Sequence, residues 1–151
     1  MQSEGIPIAK LTDKNKIEHL FFQKDVQEFF AKENPNAKLV FMEVIDDGKN
    51  AGLLYRIYYR ESRIAETSII PVITLIGDTY YYVPPGGGGS VAKTTCTTSD
   101  CASSGGCTPA IWTAKCEPCD NGGTCTRTTG YASRGSLSEL TDAIQYAVSV
   151  Y

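Results

Sequence analysis

The chain predicts an α+β fold: a helix packed on an antiparallel sheet of about four strands, then a disulfide-rich loop module and a C-terminal amphipathic helix. Three observations carry this expectation. Apolar residues in "DVQEFFAKE" (25–33) and "SLSELTDAIQYAVSVY" (136–151) recur at helical spacing. Between them stand β-branched and aromatic blocks separated by turn residues. All six cysteines fall within one polar stretch, 96–125.

The first helix puts Val26, Phe29 and Phe30 on one face, with Asp25 and Glu28 spaced as a capping box. It ends at "ENPN", where Asn34 precedes Pro35 and is pushed out of the helical region. Upstream, Ile17, Leu20 and Phe21 fit either an extension of this helix or a short strand. Strand-like blocks follow. "AKLVFMEVI" (37–45) runs into the turn "DDGKN", and "LLYRIYYR" (53–60) alternates Tyr55, Ile57 and Tyr59 with Arg56 and Arg60. Pro71 interrupts "IAETSIIPVITLI" (64–76), marking a bend, a bulge or an edge. Gly77 and Asp78 then join it to "TYYYV" as a tight hairpin.

Composition changes at "VPPGGGGS" (83–90). Before it 22 of 83 residues are charged, and after it 9 of 68, so the two sides differ in chemistry. The expected organisation is a helix-on-sheet unit over 1–83, a Pro/Gly linker over 84–92, and a disulfide-rich module with its helix over 93–151. A long ordered loop inside one domain is the competing reading of the glycines. In the C-terminal segment Leu137, Leu140, Ile144, Ala147, Val148 and Tyr151 share a helical face, behind a Ser136–Glu139 capping box. A strand, "YAVSVY", is the alternative.

The 151 residues suit one domain, or one with an appended module, and carry a formal charge of −3. No basic stripe tracks a phosphate backbone, so nucleic acid is not an expected partner. No apolar run approaches the roughly 20 residues of a membrane helix. The opening "MQSEGIPIAK" lacks the basic start and apolar stretch of a signal peptide, and the expectation is an exported protein from which that segment has been removed.

The stretch "KDVQEFFAKENPNAKLVFMEVIDDGKNAGLLYRIYY", within residues 24–83, resembles PepSY-type domains. It shares a short helix, an Asn-Pro-Asn-Ala exit, a first strand, an acidic-Gly turn and a Tyr-rich second strand. More broadly it is similar to cystatin-like folds. The resemblance implies a helix gripped by an antiparallel sheet and an inhibitory, propeptide-like or binding role. The Gln-x-Val-x-Gly loop of the cysteine-protease inhibitors is missing, so papain-type inhibition has no residue to rest on. "CEPCDNGGTC" (116–125) looks like the first half of an EGF module, but no cysteine follows Cys125 and no calcium or receptor chemistry carries over.

Three chemistries compete for Cys96, Cys101, Cys107, Cys116, Cys119 and Cys125. A zinc site wants paired short spacings, and one C-x2-C (116 and 119) stands alone, with the single histidine, His19, far away. Thioredoxin-like chemistry needs that motif to open a helix, yet Asp120, Asn121 and glycines follow. Disulfides are the expected answer. An even count staples a segment too poor in apolar residues to fold alone, each bridge contributing on the order of 2–4 kcal/mol. The pairing stays open, Cys116 with Cys119 being the least favoured. Bridges place the protein outside the cytoplasm, as a secreted, periplasmic or cell-surface chain.

No catalytic residue is assigned and no cofactor or metal is expected. His19 among apolar neighbours builds no triad, and Asp46 with Asp47 before Gly48 is a solvated turn. Contact residues are sought among the aromatics: Trp112 in "TPAIWTAK", and Tyr80 and Tyr82, although alternate tyrosines of a strand also face a core. The expectation is a non-enzymatic binding or surface-assembly protein with a protein or cell-surface partner. The alternatives are a peptidase-inhibitor or propeptide-like module, and a structural subunit that self-associates.

Overall fold

A computed structural model describes residues 5–102, 107–109, 115–117, 119 and 123–151. In chain order the elements begin with β1 (Ile6–Leu11), β2 (Ile17–His19), α1 (Gln23–Glu33), β3 (Ala37–Asp46), β4 (Ala51–Tyr59) and β5 (Ile64–Ile70). They continue with β6 (Ile73–Ile76), β7 (Thr79–Tyr82), β8 (Ser90–Thr98), β9 (Thr108–Pro109), β10 (Cys116–Glu117), β11 (Thr126–Ser133) and α2 (Ser138–Ser149).

The expected α+β class, one helix on about four strands, is corrected. The chain is mostly β, 48% strand against 17% helix, with eleven strands in three sheets among the described residues. A five-stranded sheet runs β11-β8-β5-β4-β3, a four-stranded sheet β2-β1-β7-β6, and β9 pairs with β10. All pairings are antiparallel. The added strands come from two sources. "IPIAKL" near the start pairs with β7. The threonine-rich segments "SVAKTTCTT" and "TRTTGYAS", which composition assigns to a polar module, extend the large sheet beyond β5. Threonine is β-branched and suits a strand with one wet face, so low hydrophobicity there does not mean loop.

Pro71 and Val72 are where the chain leaves one sheet for the other, between β5 and β6. A residue without an N–H suits such a corner, since the ladder ends there anyway. Gly77, with φ of 66°, closes the β6–β7 hairpin. The Pro/Gly stretch joins β7 to β8 through a turn in which Gly89 N–H donates to Gly86 O at 2.9 Å, and Arg134 Nε holds Pro85 O at 2.9 Å. Beyond it β8 pairs directly with β5.

Neither helix uses its expected cap. α1 begins at Gln23 behind Phe22, leaving Asp25 inside the first turn, where its charge opposes the helix dipole favourably. α2 begins at Ser138, and Ser136 instead locks a turn with Ser133 through reciprocal hydrogen bonds. Of the two readings for residues 17–21, Ile17 belongs to the short strand β2. α1 packs on α2 and β3, and α2 reaches β1. One core therefore joins both sheets and both helices, through Ile8, Val26, Leu39, Met42, Leu53, Tyr82 and Ile144.

Candidate functional site

The sulfur chemistry is resolved into three bridges, Cys96–Cys116, Cys101–Cys119 and Cys107–Cys125. The first three cysteines pair in order with the last three, closing overlapping loops of 20, 18 and 18 residues. The cysteines form a hydrophobic cluster of their own, separate from the main core. Sulfur thus replaces the aliphatic interior that this segment lacks. The Sγ atoms of Cys96, Cys116 and Cys125 lie within 4.8 Å of one another, but each belongs to a bridge and offers no thiolate to a metal.

The described part of the segment, β9 with the bridged cysteines, is seated on the face of the five-stranded sheet opposite the helices. Across neighbouring strands Arg56, Thr67, Cys96 and Arg127 lie side by side and share that face. Arg56 is 8% exposed. Its Nε donates to Thr67 Oγ1 at 2.7 Å, its Nη2 to Thr108 Oγ1 of β9 at 2.9 Å, and its guanidinium lies 4.9 Å from the Phe41 ring centroid. Burial lowers its pKa from the usual value, although the group stays charged. A second tie runs from Thr98 Oγ1 to Thr124 O at 2.7 Å, and Thr124 N–H donates to Asp100 Oδ2 at 2.7 Å.

The sequence-derived contact residues are placed differently. Tyr80 and Tyr82 are both 0% exposed, so they present no surface to a partner. Strand alternation sends them inward, and their hydroxyls go to Asp46 Oδ2 at 2.8 Å and Thr141 Oγ1 at 2.7 Å. Burial first, then the hydrogen bond to Asp46 and its charge, pushes the Tyr80 phenol up to about 12. Trp112 lies outside the described residues. His19 Nε2 accepts the Val44 N–H at 2.9 Å while its ring meets Phe21 edge-on. Burial lowers its pKa, and the acceptor role requires the neutral ring. Asp46 and Asp47 fold their own turn, accepting N–H groups from Gly48, Lys49 and Asn50.

The exposed aromatics are others. Tyr131 on β11 is 79% exposed and Phe22 is 59%. Phe22 meets Tyr151 at 5.0 Å between centroids, and Phe29 stacks on Tyr146 at 5.0 Å, forming a ridge along α1 and α2. β11 is exposed along its length except at Ala132. The β-branched Thr126, Thr128 and Thr129 are the sequence signal that marks this strand.

No protein family, curated protein or solved structure matches this chain.

Proposed function

We propose that this is an exported, non-enzymatic binding or surface-assembly protein, whose contact region is the disulfide-held segment and the strand beside it. The observation that supports the reading is the seating of three interlaced bridges over a sheet face, next to an exposed strand. Three covalent bridges lower the ordering cost that a polar segment would otherwise meet on binding. Bridges of this kind persist in oxidising compartments, which favours a secreted, periplasmic or cell-surface location. Among the described residues no helix is long and apolar enough to cross a membrane. The chemistry of the chain favours binding over catalysis: the six sulfurs are oxidised, and His19 is occupied by Val44.

The test compares native protein with reduced and alkylated protein for retention on intact cells or cell-wall fragments. Retention of the native form alone is the expected result. Equal retention of both forms, or hydrolysis of peptide, ester or glycoside substrates above background, overturns the reading.

A further inference from the structure

The two edges of the five-stranded sheet are treated unequally. At the β3 edge, side chains cap the outward backbone: Gln23 Nε2 donates to Met42 O, its Oε1 accepts Met42 N–H at 3.1 Å, Gln27 Nε2 reaches Val40 O at 2.7 Å, and His19 takes Val44 N–H. These contacts show that Met42 and Val44 point their backbone groups away from β4. Antiparallel partners alternate between facing and averted groups. Carried through the registers of β4, β5 and β8, the alternation turns Arg127, Thr129, Tyr131 and Ser133 outward on β11. Ser133 agrees independently, since its N–H goes to Ser136 Oγ and its carbonyl accepts Leu137 N–H. Among the described residues, nothing caps the outward N–H and C=O groups of Arg127, Thr129 and Tyr131.

This edge also lacks the features that usually protect one: β11 contains no proline, lysine or acidic residue, and its register with β8 has no bulge. We propose that β11 docks on β11 of a second copy, antiparallel about a two-fold axis through Thr129. The centre follows from the open positions. Pairing Thr129 with its symmetry mate engages all three free residues of each strand and stops where Ser133 is already used. That register sets Arg127 of each copy directly opposite Tyr131 of the other, on the face that carries the disulfide segment. The strand's single charge meets an aromatic ring, a favourable pairing, and avoids the second Arg127. The inference deepens the surface-assembly reading and rests on it for biological meaning.

Sedimentation and hydrogen exchange across a concentration series test it on the intact, oxidised chain. The expected result is a monomer–dimer equilibrium in which the amides of Arg127, Thr129 and Tyr131 gain protection with concentration, while those of Thr128 and Gly130 are protected throughout. Thr129→Pro, which removes an N–H the fold does not use, weakens the dimer at least tenfold. Should that variant misfold, Tyr131→Lys still puts like charges opposite each other and weakens it, whereas Tyr131→Glu preserves or tightens it. A concentration-independent monomer overturns the proposal, as does a dimer indifferent to these substitutions. Cell-surface retention by a protein that stays monomeric would remove this inference and leave the binding reading standing.

Discussion

Arg56 Nη2 donates to Thr108 Oγ1 at 2.9 Å, a side-chain hydrogen bond that joins the five-stranded sheet to the disulfide segment. The two residues are 52 positions apart, and Thr108 follows directly on Cys107. A buried guanidinium that also bonds Thr67 and lies against Phe41 does the work of a clamp.

Arg56→Met should therefore destabilise the chain by roughly 2–3 kcal/mol, because two threonine hydroxyls lose a charged donor in a buried setting. Denaturant midpoints measure the loss. The same variant should speed reduction of Cys107–Cys125, read by timed alkylation and mass. Arg56→Lys should recover little, since an ammonium lacks the planar fork.

His19 should make stability fall in mild acid. Its folded pKa lies below the ordinary value of 6.5, so between the two the unfolded chain binds more protons. Stability is fully present above 6.5 and declines as pH falls through the folded pKa. In His19→Gln the amide oxygen can take over the Val44 N–H without titrating. Unfolding midpoints from pH 7.5 down to about pH 5 should slope for the native chain, and this part of the slope should vanish in the variant.

Tyrosine ionisation should come in two groups. Tyr55, Tyr59, Tyr80 and Tyr82 all have pKa values raised above 10.0, burial being the first cause in each case. Groups whose folded pKa is raised contribute stability that is present below pH 10.0 and lost as pH climbs beyond it. An alkaline absorbance titration should show these phenols ionising late, together with unfolding. Tyr80→Phe should remove one late phenol and cost about 1 kcal/mol for its hydrogen bond.

Removing one bridge, with Cys101→Ser and Cys119→Ser together, should cost about 3 kcal/mol, the chain entropy of a loop this size. None of the six cysteines belongs to the main core, so the loss should stay local. Hydrogen exchange should quicken around Thr98 and Thr124 while amides of β3 and β4 keep their protection. Alkylation of the unreduced native protein should label no thiol.

Reading the sequence reached the parts governed by local chemistry. The 3–4 spacing of Leu140, Ile144 and Ala147 marks the buried face of α2 directly, and the Gly77–Asp78 turn sits where its residues favour it. The bridges follow from an even cysteine count in a polar segment, although spacing alone could not choose partners among them. What stayed hidden was tertiary. Nothing in "SVAKTTCTT" says that it will lie beside β5, because that pairing spans a whole intervening hairpin. Tyr80 and Tyr82 looked available as contact residues until a second sheet and α2 closed over them. Arg56, read only as the polar partner of an alternating strand, is buried because the cysteine segment folds onto that face.

The order of the bridges has a bearing on how the chain meets a protease. Cys96, Cys101 and Cys107 all precede position 108, and their mates Cys116, Cys119 and Cys125 all follow position 115. A protease that severs the backbone anywhere between those points releases nothing, since every covalent tie straddles the cut. The nicked molecule keeps its mass, apart from one added water, until a reductant arrives. The stretch that contains Trp112 is thus the one place where the chain can be broken and still hold all its pieces on three cords.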